Sequence, residues 1–428
     1  MPSRSNNTVG DHRVVFVNRY YAPDLSATSQ MLTDLAEALA RDGRAVVVVC
    51  GRQLYENSRA DLPARETIRG VKVLRARTTR FGRQRLVGRA LDYVTFYIAA
   101  TVTLLGVVHR TDTLVVKTDP PLLSLIGALV HFCKKARLVN WLQDIFPEVA
   151  LRLSPSPLPR SLESLLCAAR DLSLRTAQAN VVLGTRMRDY LASRGIAARH
   201  IHISENWADE RAVFPMPAAT SALRRQLGLT DRFVVAYSGN LGRAHDVETV
   251  LQAARRLHGS SDIVFLMIGG GAKMRTLREQ AQARGLDNFR FVPYQPRETL
   301  SDSLAAGDVH LVSLLPELEG LIVPSKVYGI LAAGRPVVFV GDPDGEVPQL
   351  MRACGAGVGI GIRDGQGLCA ALLRLRDEPI ERAAMGEAAR RLFETRYTLR
   401  AAVDRWRDVL DESGRSQDPV TVYAQSGT

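Results

Sequence analysis

The feature that most constrains the fold is the repeated alternation of short, wholly apolar runs with segments of helical spacing. After the run VVFV at 14–17, a polar turn leads into MLTDLAEALARDG at 31–43, whose apolar residues recur at helical spacing. Similar apolar runs follow at 45–50, 113–117, 137–142 and 180–184. Runs that are buried on both faces and alternate with helices are typical of a parallel sheet built from βαβ units. We therefore expect an α/β fold.

The alternation starts again after a proline-containing connection at 214–220, FPMPAAT. The second series has its apolar runs at 233–239, 262–271, 288–294, 308–314 and 335–341. A chain of 428 residues is also too long for one ordinary core. The sequence therefore predicts two doubly wound, Rossmann-like domains that bind ligands in the cleft between them, beyond the carboxyl ends of the strands.

The domain boundaries follow from the same pattern. We predict an N-terminal domain at 1–212 and a C-terminal domain at 213–396. A last helix is expected at 397–412, which contains LRAAVDRWRDVL. The polar tail at 413–428 is expected to stay loose.

The chain is basic, with 56 Lys and Arg against 44 Asp and Glu, and a net charge of +12 favours an anionic partner. The candidates are nucleic acid, a phosphorylated substrate and an acidic membrane surface. A nucleic-acid binder should interleave aromatic with basic side chains. Aromatic residues make up only 6% of the chain, and Phe81 alone lies within the basic stretch 75–89, so we expect no nucleic-acid partner. Six of the 56 basic residues are Lys, and a GC-rich genome would also explain the 50 that are Arg.

The cysteines do not indicate a metal site or a disulfide framework. They stand at 50, 133, 167, 354 and 369, far apart and without CxxC spacing. The first residues, MPSRSNNTVGDHR, lack the apolar run of a signal peptide. We therefore expect a protein of the reducing cytoplasm.

One stretch bears on membrane contact. LDYVTFYIAATVTLLGVV at 91–108 has nearly the length of a bilayer span, and the segment 75–89 before it carries six Arg and no acid. Asp92 and three Thr argue against a true span. The remaining interpretations are a buried core helix, a monotopic contact in which the Arg run meets anionic lipid, and a solvated basic face.

Three loops of the second half join a strand to a helix, contain glycine and carry a cation. They lie at 238–246 (SGNLGRAHD), 268–275 (IGGGAKMR) and within 316–346. Each alone also suits an ordinary turn with a solvated cation, but together they favour a ligand with a diphosphate, because glycine amides and helix N-termini bind phosphate. Ser325 is a candidate N-cap for the helix of the third loop. The candidate phosphate-binding residues are Gly239, Asn240, Arg243, Lys273, Gly320, Ser325 and Lys326.

These loops belong to a wider likeness. The chain resembles the GT-B glycosyltransferases of family 4, and within them the branch that builds bacterial exopolysaccharide and O-antigen, such as the colanic acid glycosyltransferases. The resemblance covers nearly the whole chain through the motifs YYAPDLSATSQMLTDLAEALARDG, NWLQDIFPE, VVLGTRMRDYL, ENWAD, SGNLGR and PSKVYGILAAGRPVVFVGDPDGE.

The resemblance implies a GT-B fold in which the C-terminal domain holds a nucleotide-sugar donor and the N-terminal domain holds the acceptor. It also implies transfer with retention, without a metal or another cofactor, and a last helix that crosses back to the N-terminal domain. UDP is the favoured nucleotide, with GDP-fucose as its competitor. Acceptors of this branch are often undecaprenyl-diphosphate-linked sugars, which would place the protein peripherally on the inner face of the cytoplasmic membrane through Arg75 to Arg89 and the 91–108 stretch.

The donor site departs from the family pattern at its cations. Arg243 matches the family's phosphate-binding Arg, but Glu248 stands where a Lys usually follows five positions later. We therefore expect Lys273 or Lys326 to substitute, since without a metal the leaving diphosphate must be stabilised by cations already in place.

The donor site also departs from the pattern at its carboxylates. The usual pair of glutamates, eight positions apart, falls on Leu321 and Gly329. We expect the nearby Glu319 to contact a donor hydroxyl instead.

In the N-terminal half, the segment PDLSATSQ takes the place of the family's glycine-rich loop. The amides of Ser26, Ala27 and Thr28 could face the diphosphate or the acceptor, or Ser26 could only cap a helix. Asp144 follows a predicted strand at a place where family members often carry a cleft His or Asp. We expect it to orient or deprotonate the acceptor hydroxyl, with Glu148 as the alternative and a helix cap as the structural interpretation.

Two other function classes share parts of this pattern. A nicotinamide-dependent oxidoreductase needs GxGxxG after its first strand, but the first loop here, NRYYAPDLSATSQ, contains no glycine. A catalytically inactive scaffold of the same fold remains the alternative to a glycosyltransferase, because the glutamate pair is altered.

Overall fold

The computed structural model describes residues 13–82, 86–153 and 159–411. It contains two α/β units, each built around one sheet, and the strands are parallel except for one antiparallel pair in the N-terminal sheet. The predicted architecture of two parallel-sheet domains is therefore confirmed. The tail at 413–428 lies outside the described residues, as do Arg83 and Arg85 of the basic run.

The N-terminal sheet has eight strands in the order β3-β4-β2-β1-β5-β6-β7-β8. The strands are β1 Val14–Val17, β2 Val46–Gly51, β3 Arg65–Ile68, β4 Val71–Ala76, β5 Thr113–Lys117, β6 Arg137–Trp141, β7 Ala179–Val182 and β8 Ile201–Ile203. The helices are α1 Ala27–Arg41, α2 Leu86–Val107, α3 Leu123–Lys134, α4 Glu148–Arg152, α5 Arg160–Thr176 and α6 Thr185–Ser193.

The antiparallel hairpin of β3 and β4 is not expected from the apolar pattern, because β3 is an edge strand with exposed and half-buried side chains. Its partner β4 takes Arg75 into the sheet, where this residue is 5% exposed. The Arg75 guanidinium contacts the Glu66 carboxylate and donates to the Ala22 carbonyl oxygen at 2.7 Å. The prediction that the basic run meets lipid from Arg75 onward is therefore wrong at Arg75.

The C-terminal sheet has six parallel strands in the order β11-β10-β9-β12-β13-β14. The strands are β9 Phe233–Asn240, β10 Ile263–Gly270, β11 Phe289–Val292, β12 Val309–Ser313, β13 Val337–Gly341 and β14 Gly357–Gly361. The helices are α7 Ala222–Gln226, α8 Glu248–Arg256, α9 Ala272–Ala283, α10 Leu300–Ala305, α11 Lys326–Ala332, α12 Glu346–Cys354, α13 Gly365–Asp377, α14 Pro379–Leu392 and α15 Leu399–Asp411.

The last helix, α15, packs on the N-terminal sheet together with α1. The Trp406 indole meets Trp141 of β6 edge-on, with ring centroids 4.6 Å apart, and Trp207 stacks against the same Trp141 at 5.9 Å. Arg137 donates to the Leu410 carbonyl oxygen at 2.6 Å. The aromatic contact buries the apolar face of α15 and ties the end of the described chain to the first domain.

The opposite face of the same sheet is covered by α2 and α3, and α5 lies beside α3. The inner side of α2 carries Phe96, Ala100 and Leu104, all fully buried. Asp92 also turns inward at 1% exposure, and its carboxylate accepts from the Phe81 and Gly82 amides at 3.1 and 2.9 Å. Asp92, which argues against a bilayer-spanning helix, therefore does not reach the outer surface of α2.

The two domains meet at the carboxyl ends of their strands. One apolar core cluster continues from the segment after β6 into the loops and helices after β12 and β13. The Ile145 amide donates to the Leu321 carbonyl oxygen at 2.9 Å, and Asp144 forms a bridge with Ile322. The loop at 316–323 of the second domain thus lies directly against the segment that follows β6.

Candidate active site

The loops that follow β9 and β10 form one continuous glycine surface. Gly239, Gly269 and Gly271 all have positive φ angles, of 129°, 118° and 114°. A Cβ at Gly269 would clash with the Gly239 carbonyl group, and one at Gly271 would clash with Asn240. Only glycine permits this close backbone approach, which leaves the surface open to a ligand.

Lys326 places its amine beside this glycine surface. A Cβ at Gly239 would lie 3.7 Å from the Lys326 Cε, and the Lys326 Nζ lies 4.3 Å from the centroid of the Tyr237 ring. The amine also contacts the Tyr237 hydroxyl and lies 3.3 Å from His245 Nε2. Burial lowers the pKa of Lys326 to about 7. The amine is therefore only partly protonated near neutral pH, and a diphosphate at the glycine surface would favour its charged form.

A hydrogen bond to the Ser313 carbonyl oxygen holds His245 in one tautomer. Its Nδ1 lies 2.6 Å from the Ser313 carbonyl oxygen, which can only accept, so Nδ1 carries the hydrogen and Nε2 is free to accept from Lys326. Burial first, and then the charge of Lys326, lower the pKa of His245 to about 3. The ring is therefore neutral and adds no charge to the site.

The other two predicted cations make different contacts. Lys273 is half-buried in the first turn of α9, and its amide donates to the Leu241 carbonyl oxygen at 2.9 Å. Arg243 is exposed, and its guanidinium reaches the Leu153 carbonyl oxygen of the N-terminal domain at 3.4 Å. Glu248, which replaces the family Lys, is paired with Arg284 at 2.8 Å.

The Glu319 side chain contacts the N-terminus of α12. Its Oε2 accepts from the Glu346 amide at 3.3 Å, and its Oε1 is buried without a hydrogen-bond partner among the described residues. Burial raises the pKa of Glu319 to about 7. The neighbouring Gly320 has a φ of 74° and lies against the Arg186 carbonyl oxygen of the other domain. Both residues therefore line the joint between the domains, where an unpaired carboxyl oxygen can still bind a hydroxyl.

One position of the third loop differs from expectation. Ser325 precedes α11 but is exposed and makes no capping hydrogen bond, so its interpretation as an N-cap is wrong. The backbone of Ser325 is already helical, with φ −59° and ψ −20°, whereas a capping side chain needs an extended residue. Gly329, at the place of a family Glu, is half-buried, and a Cβ there would lie 3.7 Å from Leu304.

Asp144, which the sequence predicts to act on an acceptor, lies at the joint between the domains. Its backbone pairs with Ile322 of the C-terminal domain, and the residue lines a cavity at the carboxyl ends of β5 and β6. Burial raises the pKa of Asp144 to about 6; the charge of Asp119 raises it further and that of Lys117 opposes the shift. A carboxylate whose pKa lies near neutrality is suited to accept a proton.

Glu148 is not available for this role. Its two oxygens accept from the Arg170 guanidinium at 2.5 and 3.0 Å, and the Tyr190 hydroxyl donates to it at 2.5 Å. Arg170 also pairs with Asp171 at 2.7 Å, and all four groups lie within the N-terminal domain. The alternative prediction that Glu148 deprotonates the acceptor hydroxyl is therefore wrong, because a buried ion pair already occupies both of its oxygens.

The predicted loop before α1 also differs. The Ser26 amide and hydroxyl both donate to the Asp24 carboxylate, at 2.8 and 2.5 Å, so Ser26 offers no free amide and does not cap the helix. Ala27 and Thr28 form the first turn of α1, exposed and half-buried respectively. Of the three predicted amides, only these two remain candidates for an anion.

Sequence reasoning missed Tyr237, His245 and Lys117, although two of them carried a signal. His245 lies within the loop SGNLGRAHD, and Lys117 is one of only six lysines. In the described part of the chain, no group of three or more His, Cys, Asp and Glu side chains is placed to hold a metal ion.

The chain is similar in sequence to known proteins. Residues 220–392 match the family described as Glycosyl transferases group 1. WbjE of Pseudomonas aeruginosa, named as a glycosyltransferase, is 26% identical over 340 residues, which are 78% of this chain and 84% of WbjE. WcaI of Escherichia coli (strain K12), named as a colanic acid biosynthesis glycosyl transferase, is 27% identical over 341 residues, 77% of this chain and 83% of WcaI.

Solved structures share the fold across almost the whole chain. Sucrose-phosphate synthase from Thermosynechococcus elongatus superposes with a TM-score of 0.73 at 16% identity, over 93% of this chain and 98% of its own. HepE from Anabaena, in complex with UDP and glucose, gives a TM-score of 0.69 at 17% identity, over 93% and 99%. These similarities and the two-domain cleft lead to one conclusion: the chain has the GT-B fold, and its residues 220–392 are similar to the Glycosyl transferases group 1 family.

Proposed function

We propose that the protein transfers a sugar from a UDP-sugar to a precursor of a bacterial polysaccharide. The observation that carries the donor half is the Lys326 amine beside the glycine surface after β9 and β10. HepE, which shares the fold, was solved with UDP, and WcaI is named for colanic acid biosynthesis, which supports the nucleotide and the pathway class.

In this proposal the protein's own cations stabilise the departing diphosphate without a metal. Lys326 lies beside the glycine surface, and its neutral partner His245 does not compete for the phosphate charge. Lys273 in the first turn of α9 and Arg243 at the rim of the cleft add two further cations. Charges that are already in place need no reorganisation as the leaving group becomes negative.

Asp144 acts on the acceptor in this scheme. The acceptor oxygen forms a bond to the anomeric carbon on the same face from which the phosphate oxygen leaves, so the configuration is retained. The electron pair of the broken carbon–oxygen bond stays on the phosphate. Asp144 takes the proton of the acceptor hydroxyl. The resemblance to family 4 supports transfer with retention, which the anomeric coupling constant of the product would show by NMR.

We further propose that the acceptor is linked to a lipid diphosphate such as undecaprenyl diphosphate, and that the protein binds the inner face of the cytoplasmic membrane. The evidence is an apolar outer face on the helix layer of the N-terminal domain. Its side chains are 40–74% exposed and comprise Val87, Leu91, Val94, Ile98 and Val102 of α2, Leu129 and Phe132 of α3, and Leu162, Leu165 and Leu172 of α5. By length and composition α2 could also cross a membrane, but its inner side packs against the sheet.

The charges around this outer face suit an anionic lipid surface. Lys134 and Lys135 end α3, and Arg89 lies in the first turn of α2. Asp92 is turned inward, so it does not oppose them. Apolar contact together with basic residues is the combination that binds interfacial proteins to anionic bilayers. Arg75 has no part in this surface.

A thermal-shift panel of UDP, UDP-glucose, GDP, GDP-fucose and ADP tests the donor half. A ligand at 100 times its Kd stabilises the folded state by about 2.7 kcal/mol, which corresponds to several degrees in Tm. We expect UDP and UDP-glucose to raise Tm and Lys326→Met to abolish the shift, whereas Lys72→Met on the exposed side of β4 should keep it. A response to none of the five nucleotides would instead support an inactive scaffold.

A further inference from the structure

Lys117 ends β5 in the middle of the N-terminal sheet and is 1% exposed. Its Nζ lies 3.3 Å from the centroid of the Trp141 ring, and within the described ranges it has no hydrogen-bond partner. A buried amine without hydrogen bonds is costly, and the face of one indole offsets only part of that cost. Burial also holds the pKa of Lys117 well below its ordinary value. A packing role alone would be served better by an apolar residue.

Lys117 also lines the cavity that Asp144 lines. The polar residues around this cavity are Lys117, Thr118, Ser124, Asp144 and Arg170. Arg170 is already paired with Glu148 and Asp171, and the Ser124 hydroxyl lies 2.7 Å from the Ser173 hydroxyl. The Thr118 hydroxyl accepts from the Gln143 amide at 3.4 Å. The Lys117 amine therefore remains a donor without a hydrogen-bond acceptor among the described residues.

The charges around the amine indicate what it binds. The carboxylates that act on Lys117 are Asp119 and Asp144, both on the carboxyl-end side of the sheet. Two acids beside one amine disfavour a phosphate or another anion. A neutral ligand with hydroxyl groups fits, because the carboxylate accepts from a hydroxyl while the amine donates to one.

We propose that Lys117 is a second acceptor-binding residue, whose amine donates a hydrogen bond to the acceptor sugar hydroxyl that Asp144 deprotonates. This inference rests on the proposed role of Asp144. As the acceptor oxygen bonds to the anomeric carbon and its proton moves to Asp144, the amine keeps its hydrogens and stabilises the negative charge that develops on that oxygen. The leaving electron pair goes to the diphosphate in the other domain.

The first test compares Lys117→Met with Lys72→Met in transfer from the active nucleotide sugar to prenyl-diphosphate-linked monosaccharides. Met keeps the volume over Trp141 but cannot donate. Losing a hydrogen bond to a charged group lowers kcat/KM for the acceptor by about 10-fold to 100-fold, whereas KM for the donor and the UDP-induced shift in Tm stay unchanged. The acid limb of the pH profile should also move to higher pH, because a positive charge that lowers the pKa of Asp144 is lost. Unchanged acceptor kinetics with an unshifted limb would overturn the proposal.

The second test uses NMR of lysine labelled with 13C at Cε, which the six lysines of the chain make readable. Lys117→Met and Lys326→Met assign the two signals. We expect methyl glycosides of glucose, galactose and N-acetylglucosamine to shift the Lys117 signal and UDP to shift the Lys326 signal. If UDP moves Lys326 but none of the glycosides moves Lys117, the acceptor role of Lys117 is wrong and the donor site stands. If neither signal responds, the proposed function itself fails.

Discussion

The Glu346 carboxylate of the C-terminal domain accepts a hydrogen bond from the Thr185 amide of the N-terminal domain at 2.6 Å. Its other oxygen accepts from the Arg186 amide at 3.1 Å, so one carboxylate covers the N-terminus of α6. A negative charge is stabilised there by the helix dipole. Gly184 lies against the Glu346 carboxylate, and any side chain at position 184 would clash with it. The contact joins the two domains beside Glu319.

Glu346→Ala should therefore loosen the joint. The loss of these hydrogen bonds is expected to lower the free energy of unfolding by about 1–3 kcal/mol, and the radius of gyration in solution scattering should increase as the domains separate. Glu387→Ala, which removes an exposed carboxylate of α14, serves as the control. An unchanged radius of gyration together with unchanged stability would show that Glu346 does not hold the domains.

Lys326 should take up a proton when UDP binds. Its pKa in the free protein is about 7, lowered by burial from 10.5, so most molecules carry a neutral amine at pH 8.5. A diphosphate favours the charged form and raises this pKa. Calorimetry of UDP binding at pH 8.5 in two buffers of different ionisation enthalpy should show uptake that approaches one proton. Lys326→Met should remove the buffer dependence, and identical heats in both buffers for the wild type would refute the assignment.

The lowered pKa of Lys326 also makes the free energy of unfolding depend on pH. The unfolded chain keeps the Lys326 proton up to its ordinary pKa, whereas the folded chain loses it above pH 7. The unfolded state therefore binds more protons between about pH 7 and 10.5, and the free energy of unfolding rises with pH across that window. Lys326→Met should flatten this part of the stability curve, as measured by urea unfolding at several pH values.

Asp144 should set the acid limb of activity. Its pKa of about 6 means that the carboxylate needed to accept a proton is lost as the pH falls below 6, and kcat/KM should fall with it. Asp144→Asn should lower kcat by about 100-fold or more, while Asp189→Asn on the exposed side of α6 leaves it unchanged. Near-normal turnover of Asp144→Asn would remove this residue from the mechanism.

The apolar outer face should govern binding to anionic vesicles. Burial of one Ile or Phe side chain in lipid contributes about 1.5–3 kcal/mol, so Ile98→Asn and Phe132→Asn should each weaken binding at least about 10-fold. Ile380→Asn is the matched control, because Ile380 is 86% exposed on α14 of the other domain. The measurement is flotation with phosphatidylglycerol vesicles at low salt. Wild-type protein that stays in the soluble fraction would contradict the proposed membrane surface.

Much of the fold could be predicted because its strands are apolar on both faces. Runs such as VVFV at β1 and VVFVG at β13 are fully buried between helix layers, so burial alone requires their composition. The hairpin of β3 and β4 escaped prediction since an edge strand is paired on one side only and tolerates charged residues. Arg75 is buried because it belongs to β4 of this hairpin.

The candidate site could be predicted only in part. The glycine loops and Lys326 were visible because phosphate-binding loops require particular residue types at short spacing. Ser26, Ser325 and Glu148 were misread, because the neighbour that decides a polar side chain's role is set by packing. Arg170, which forms the ion pair with Glu148, lies 22 positions away in another helix.

The sequence by itself determined the two parallel-sheet domains, the cleft at their strand ends and the glycine loops, since each follows from local composition and periodicity. Only the tertiary structure decided which distant groups meet there. It brought Lys326 to Tyr237 and His245, Glu346 to the start of α6, and Lys117 into the cavity of Asp144. Such pairings depend on how helices and loops pack in three dimensions, and that packing also shifts the pKa values on which the proposed chemistry depends.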